Sequence, residues 1–236
     1  MRGTLSKAAA IFFLGAGLAG CATTDTTVGS LPPAPVFIMD HPADSLSADV
    51  PVHFMPKNTP AADAPLGYVS FCVRFGDQCT LPAKDAPQSI VLTPAIWDTL
   101  NKVNLATNES LWPEDDKRHY GRVEFWTIPT DGYGDCEDSA LTKRKALIGA
   151  GLPAAALRVA VVITPRNTRH AVLSVVTDRG DFVLDNLNDQ IRAWDRTGYT
   201  WIERQDPSRP SGWVSLRPTD RMLATANADL ITGAAN

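Results

Sequence analysis

The chain has 236 residues, of which 44% are hydrophobic and 20% are charged, and its formal net charge is −4 at pH 7. This length is sufficient for one well-buried globular domain with extensions at its ends. The negative net charge argues against binding to nucleic acid, which requires a basic surface.

The first 20 residues predict a signal peptide. Arg2 and Lys7 precede an apolar run over residues 8–20, which is shorter than a helix that spans a bilayer. The run ends in the residues LAGC, which resemble the lipobox of bacterial lipoproteins, and on that resemblance Cys21 becomes the lipidated first residue of the mature protein. The alternative is an ordinary export signal in which Cys21 has no such role. Both alternatives predict an extracytoplasmic protein, and lipidation predicts a periplasmic protein anchored in a membrane, with the outer membrane favoured.

The segment after the signal peptide predicts a flexible tether. Residues 21–64 are rich in Ala, Pro, Thr, Ser and Asp and show no sustained periodicity. His41 and His53 lie in this segment, and we expect them to be solvated rather than catalytic. We expect one folded domain over residues 65–236.

The cysteines divide into a lipidated residue, a close pair and one remaining thiol. Of the four cysteines, Cys72 and Cys79 are close enough in the chain to close a short loop, which predicts a disulfide in an exported protein. A metal site on this pair is the less favoured alternative, because no paired Cys or His lies nearby. Cys136 is then unpaired and is a candidate reactive group.

The first elements of the domain are a helix, a polar loop and a strand-like stretch. Thr93 and Pro94 predict a helix start, with Thr93 as the cap. The apolar stripe of this helix, which we expect to face the core, contains Ile96, Trp97, Leu100 and Val103. A polar loop over residues 113–122 contains His119 and precedes the strand-like sequence VEFWTIP.

The second half of the domain begins with a helix and continues with strands. The helix lies in the sequence GYGDCEDSALTKRKALIGAGLP, with acidic residues near its start and basic residues later, as the helix dipole favours. Strands are predicted at residues 157–164, 170–177 and 181–186, and a tight turn joins the last two. Helices followed by an antiparallel sheet predict an α+β fold.

Cys136, His170 and Asp185 together carry the residue types of a cysteine nucleophile site. Such a site requires a thiolate, a base that forms it and a group that orients the base. If the hairpin turn centres on residues 178 and 179, Val172 lies opposite Asp185, and His170 lies on the same face within reach. Each residue alone also has a structural explanation, but their combination on a helix start and two adjacent strands favours catalysis.

At these residues the sequence resembles the bacterial transglutaminase-like cysteine proteinases, which include the LapG-type periplasmic proteases that release biofilm adhesins. The resemblance is carried by GDCEDSALTKRKALIGAGLP, RHAVLSVV and DFVLDN, and it extends over most of residues 67–215. It implies a papain-like α+β domain in which a helix that begins with the cysteine packs on an antiparallel sheet. It also implies that Cys136 is the nucleophile, that His170 is the general base and acid, and that Asp185 orients His170.

The resemblance further implies a calcium site beside the nucleophile. Its ligands would be Asp135 and Glu137, with Asp138 adjacent, and carboxylate oxygens are the ligands that calcium prefers. The alternative is that these acids only complement the helix dipole.

The resulting prediction is a calcium-dependent cysteine peptidase of the cell envelope that cleaves a protein or peptide through a thioester. Three alternatives stay open: a transglutaminase-type acyl transferase, a cell-wall peptide hydrolase and a non-catalytic lipoprotein that binds a partner. The D-C-E-D sequence around Cys136 differs from the D-C-S-G sequence of cell-wall enzymes, and the complete Cys, His and Asp set argues against a non-catalytic protein. The expected partners are a protein substrate, a membrane bound through Cys21 and an unidentified regulatory protein.

Overall fold

The computed structural model describes residues 53–57, 59–209 and 211–217. The predicted signal peptide, Cys21 and His41 lie outside these residues. The α-helices are α1 (Leu66–Arg74), α2 (Pro94–Ser110), α3 (Asp116–Tyr120) and α4 (Cys136–Gly149). The strands are β1 (Ala61–Ala62), β2 (Trp112–Pro113), β3 (Tyr133–Gly134), β4 (Leu157–Ile163), β5 (Arg169–Thr177), β6 (Gly180–Leu184), β7 (Arg192–Ala193), β8 (Thr200–Gln205) and β9 (Trp213–Ser215). In this part of the chain, no helix has the length and apolar character needed to cross a membrane.

A seven-stranded sheet forms the centre of the fold, in the order β1-β9-β8-β4-β5-β6-β7. Each neighbouring pair in this sheet is antiparallel. Strands β2 and β3 form a separate parallel pair, and β3 directly precedes α4. Helix α4 packs on β4 and β5 and contacts α2. The predicted α+β class is therefore confirmed.

Alternating side chains of the central strands build two apolar layers. On β4, Val159 and Val161 belong to the layer beneath the helices, whereas Ala160 and Val162 belong to the layer on the opposite face. This alternation follows from the period of two residues in a strand. The helical layer includes Tyr68, Phe71, Trp97, Leu100, Leu141 and Leu147. The central strands are buried on both faces, which makes them a rigid support for α4.

The chain joins the domain earlier than the predicted boundary at residue 65. The Met55 side chain is only 2% exposed and packs in the layer away from the helices. Its backbone N–H donates to Oδ2 of Asp181 at 2.8 Å, and β1 pairs with β9. The part of the predicted tether that the structure describes is thus part of the fold. The composition of this segment did not predict that Met55 is buried or that β1 pairs with β9.

Two local predictions around the first helices are confirmed. Cys72 and Cys79 form a disulfide that links α1 to the 3₁₀ turn at Gly76–Cys79, and Cys136 is the free cysteine of the described residues. Thr93 caps α2, because its Oγ1 accepts a hydrogen bond from the N–H of Ile96 at 3.2 Å.

The predicted strand at VEFWTIP is wrong, because this stretch is an irregular loop. Two of its backbone donors bind carboxylates instead of a neighbouring strand: the N–H of Phe125 donates to Asp116 and that of Thr127 donates to Oδ1 of Asp138 at 2.7 Å. Glu124 adopts a positive φ of 58°, which a strand does not allow. The hydrogen bonds to Asp116 and Asp138 therefore hold this loop in place of strand pairing.

Candidate active site

Cys136 is the first residue of α4, and its thiol contacts two polar groups. Sγ lies 3.0 Å from Oε2 of Glu137, to which the thiol donates a hydrogen bond. The backbone N–H of Ala171 on β5 also contacts the sulfur. Burial raises the pKa of the thiol well above its ordinary value, and the charge of Glu137 raises it further. In this arrangement, the sulfur is held as a thiol.

His170 and Asp185 form a buried hydrogen-bonded pair. The register of β5 on β6 places Leu173 opposite Leu184, which extends to Val172 opposite Asp185 as the sequence predicts. Nε2 of His170 lies 2.8 Å from Oδ1 of Asp185. Because a carboxylate accepts, Nε2 carries the proton and Nδ1 is left as the basic nitrogen.

The Asp185 carboxyl group is held in its charged form. Burial raises its pKa, but hydrogen bonds from His170, Tyr199 and the backbone of Leu187, with the charge of His170, lower it below its ordinary value. Oδ2 accepts from the Tyr199 hydroxyl at 2.5 Å. A charged carboxylate beside the imidazole favours the imidazolium that forms when the base accepts a proton.

One cavity brings the cysteine and the histidine together. Its lining residues are Glu124, Trp126, Cys136, Glu137, Val161, Arg169, His170 and Ala171. Cys136 lines the cavity from the start of α4, and His170 lines it from β5. Asp185 binds Nε2 of His170. The structure thus places the predicted nucleophile and base on one cavity, with the predicted orienting residue bonded to the base.

Three carboxylates beside the cysteine form a candidate cation site. One oxygen from each of Asp116, Asp135 and Glu137 lies within 4.8 Å of the others. Oδ1 of Asp116 and Oδ1 of Asp135 are buried without a hydrogen-bond partner among the described residues. Asp135 precedes α4, yet its side chain makes no capping hydrogen bond. These unpaired oxygens fit a hard cation such as calcium better than a helix cap.

The acids of this cluster are held in an unfavourable environment when no cation is bound. Burial raises the pKa of Asp135 to about 8, and the charge of Glu137 adds to this shift. Burial also raises the pKa of Glu137, to about 7, and that of Asp116. A divalent cation would stabilise the charged forms of all three groups.

Asp138 lies outside the group of three carboxylates. Its side chain is fully buried, and Oδ1 accepts the hydrogen bond from the N–H of Thr127. A Cβ added at Gly134 would lie 2.9 Å from Oδ2 of Asp138, so glycine is needed there. The geometry therefore assigns Asp138 to the support of the loop before α4 and places Asp116 in the acidic group.

Two residues at this site were absent from the sequence prediction. Asp116 lies in the polar loop assigned to residues 113–122, about 20 positions before the cysteine, and no local spacing connects the two. Tyr199 follows β7 and precedes β8, where the aromatic residue showed no distinguishing pattern. Both residues reach the site through tertiary contacts.

Comparison with known proteins identifies the family of the chain. The model of the bacterial transglutaminase-like cysteine proteinases, BTLCP, matches residues 58–221, and the chain therefore belongs to this family. Membership of the family makes the protein a cysteine peptidase with the transglutaminase-like α+β fold. No curated protein matches the chain.

Three solved structures from Legionella pneumophila are similar to the chain. Calcium-bound LapG is 26% identical, with a TM-score of 0.45, over 52% of this chain and 71% of that chain. A second LapG structure is 25% identical, with a TM-score of 0.45, over 58% and 77% respectively. EGTA-treated LapG is 27% identical, with a TM-score of 0.42, over 49% and 66%.

Proposed function

We propose that this cysteine peptidase cleaves a protein substrate in the cell envelope with Cys136 as nucleophile, His170 as general base and acid, and Asp185 as the residue that orients His170. The observation that carries the proposal is the buried hydrogen bond of 2.8 Å between Nε2 of His170 and Asp185. It leaves Nδ1 as the basic nitrogen of a histidine that shares a cavity with Cys136.

In the first half of the reaction, Nδ1 of His170 accepts the thiol proton while Sγ of Cys136 attacks the scissile carbonyl carbon. The negative charge that develops on the carbonyl oxygen is stabilised by backbone N–H groups at the start of α4, where the helix dipole favours an anion. The imidazolium then donates its proton to the leaving amine, and the C–N bond breaks. The product is a thioester between Cys136 and the acyl part of the substrate.

In the second half, His170 accepts a proton from water, which attacks the thioester carbonyl. The C–S bond breaks, and the proton returns from Nδ1 to the thiolate of Cys136. Throughout the cycle, Asp185 remains ionised and stabilises the imidazolium through Nε2.

Calcium is the cation that the acidic site suits best. Asp116, Asp135 and Glu137 would hold it, since one oxygen from each lies within 4.8 Å of the others. Asp116 and Asp135 also each have a buried carboxylate oxygen without a hydrogen-bond partner among the described residues. When bound, calcium supplies positive charge beside the thiol and removes the repulsion among the acids. Glu137 connects the two sites, because its carboxylate also accepts the thiol hydrogen bond.

A periplasmic location with a lipid anchor is part of the proposal and rests on the sequence. The apolar run over residues 8–20 and the LAGC sequence support export and lipidation of Cys21. The disulfide between Cys72 and Cys79 is consistent with an oxidising compartment.

Mass spectrometry of new protein N-termini tests the proposed activity. Purified protein with calcium is incubated with an envelope fraction from cells that lack it, alongside Cys136→Ala and His170→Ala. We expect new N-termini with the wild-type protein and none with either variant. Identical termini with Cys136→Ala would contradict the proposal. Incorporation of a labelled amine in place of new N-termini would indicate acyl transfer.

A further inference from the structure

Hydrogen-bond donors occupy both oxygens of the Asp185 carboxylate. Oδ1 accepts from Nε2 of His170 at 2.8 Å and from the backbone N–H of Leu187 at 3.0 Å. Oδ2 accepts from the hydroxyl of Tyr199 at 2.5 Å. Asp185 is only 5% exposed, so these protein donors rather than bulk solvent hold its carboxylate.

Tyr199 contacts both Asp185 and His170. Its hydroxyl binds Asp185, and its ring meets the ring of His170 edge to face, with the centroids 5.9 Å apart and the planes at 73°. A rotation of the carboxylate that moved Oδ1 away from His170 would also break the bond from Tyr199. The two hydrogen bonds therefore fix the same torsion of Asp185.

A tight turn before β8 places Tyr199 beside Asp185 and His170. The N–H of Tyr199 donates to Oγ1 of Thr197 at 3.3 Å, and that hydroxyl donates to the carbonyl of Trp194 at 2.8 Å. Gly198 between them has a φ of 73°, in the left-handed region that favours glycine. Since the turn is held by its own hydrogen bonds, the phenol reaches Asp185 from a fixed backbone.

We propose that Tyr199 is a positioning residue of the peptidase. Its hydroxyl holds the Asp185 carboxylate so that Oδ1 keeps the proton of His170 on Nε2, which keeps Nδ1 free to accept the proton of Cys136. This inference rests on the proposed Cys136, His170 and Asp185 mechanism and adds a fourth residue to it.

The test measures the His170–Asp185 bond directly, without a substrate. In protein labelled with ¹⁵N-histidine, the Nε2-bound proton of His170 is assigned by its loss in His170→Ala, and its exchange with water is measured by NMR. In Tyr199→Phe we expect this exchange to become about tenfold faster or more, because a hydrogen bond to a charged group is lost. The alkylation rate of Cys136 at one fixed pH with calcium is expected to fall about tenfold as well.

Two controls separate positioning from packing. Tyr68→Phe removes another buried phenol, whose oxygen accepts a bond from Gln205 at 2.6 Å, and should leave the exchange unchanged. A 3-fluorotyrosine at position 199 keeps the ring and strengthens the donor, so it should slow the exchange. If Tyr199→Phe does not fold, the protein with 3-fluorotyrosine at position 199 provides the test instead.

The outcomes for Tyr199 and for the peptidase mechanism are distinct. Exchange and alkylation equal to wild type in Tyr199→Phe, or exchange unchanged by fluorination if Tyr199→Phe does not fold, would overturn the positioning role. Cleavage that persists in Cys136→Ala would overturn the peptidase mechanism, while the NMR measurement would still decide whether Tyr199 orients the pair.

Discussion

The thiol of Cys136 donates a hydrogen bond to the carboxylate of Glu137, the next residue in the chain, across 3.0 Å. A carboxylate in this position stabilises the thiol and opposes the thiolate that attacks a substrate. The same carboxylate belongs to the group formed with Asp116 and Asp135. The acidic cluster therefore sets the charge beside the Cys136 thiol, and its occupancy by a cation should change the reactivity of Cys136.

Calcium should stabilise the fold and accelerate alkylation of Cys136. A ligand that binds only the folded state adds about 2.7 kcal/mol at about a hundredfold excess over its Kd, so the melting temperature should rise with calcium concentration. Asp116→Asn should weaken this response, since it removes one of the three carboxylates. Calorimetry measures calcium binding, thermal denaturation measures the melting temperature, and peptide mass spectrometry measures the alkylation rate of Cys136.

Asp131→Asn is the matched control for the calcium prediction. Asp131 is an exposed acid in the loop before β3, and its Oδ2 lies 2.9 Å from Nε2 of His119. Calcium binding in Asp131→Asn should equal that of the wild type. Equal binding in Asp116→Asn, or a melting temperature that is insensitive to calcium, would show that the acids only support the helix start.

Cys136, the proposed nucleophile, should be dispensable for folding. Cys136→Ala removes one small side chain, which should cost about 1 kcal/mol of unfolding free energy, while cleavage falls to background. Denaturant unfolding and mass spectrometry of new N-termini measure the two quantities. A variant that unfolds at ambient temperature would show that the thiol has a larger structural role than its contacts indicate.

The buried ion pair between Asp181 and Arg204 should anchor the N-terminal segment to the sheet. Oδ1 of Asp181 lies 2.9 Å from Nη1 of Arg204, and its Oδ2 accepts the N–H of Met55. Removing one partner of a buried pair costs about 3–5 kcal/mol, so Arg204→Met should destabilise the protein by that amount in denaturant unfolding.

An exposed ion pair provides the comparison. Arg118 lies 2.8 Å from Glu114, and its side chain is 78% exposed. Arg118→Gln should change the unfolding free energy by less than about 1 kcal/mol. Comparable losses in Arg204→Met and Arg118→Gln would contradict an anchoring role for the buried pair.

Lys143 should make stability depend on pH. Its Nζ is buried without a hydrogen-bond partner among the described residues. Burial lowers its pKa to about 7, although the charges of Asp185 and Asp189 raise it in part. Between this value and the ordinary value of 10.5, the unfolded chain binds the proton and the folded chain does not. The unfolding free energy contributed by Lys143 should therefore rise with pH across this window, by up to about 1.4 kcal/mol per pH unit.

Lys143→Met isolates this contribution. The advantage of the variant over the wild type in denaturant unfolding should be largest near neutral pH and should shrink as the pH rises toward 10. Lys145→Met on the exposed side of the same helix should show no such trend. A pH-independent difference for Lys143→Met would mean that the charges of Asp185 and Asp189 fully offset the burial of the ammonium.

Gly67→Ala should destabilise the domain and distort the cavity that contains Cys136 and His170. A Cβ at this position overlaps the indole of Trp126, which lines the cavity with Cys136. Overpacking costs about 1–3 kcal/mol and outweighs the gain of about 1 kcal/mol from replacing glycine in a helix. Gly76→Ala meets no atom within 4 Å, so thermal denaturation should show no loss of stability in that variant. Equal stability of the two variants would contradict the close contact.

The sequence was most informative where a local pattern determines the structure. The period of the strands and the tight turn predicted the pairing that brings Asp185 to His170, and a Thr-Pro start predicted α2. The strand predicted at VEFWTIP was wrong because the backbone donors of this stretch bind Asp116 and Asp138. No local periodicity predicts these two hydrogen bonds. Asp116 and Tyr199 were missed for the same reason, because side chains distant in the chain meet only in the folded structure.

The rate at which iodoacetamide alkylates Cys136 shows whether His170 activates this thiol. Peptide mass spectrometry follows this residue separately from Cys21, in the presence of saturating calcium, for the wild type and His170→Ala. We expect the wild-type thiol to react at least about tenfold faster, since a positioned base contributes at least this factor to forming the nucleophile. Equal rates in the two proteins would contradict the assignment of His170 as the base that activates Cys136.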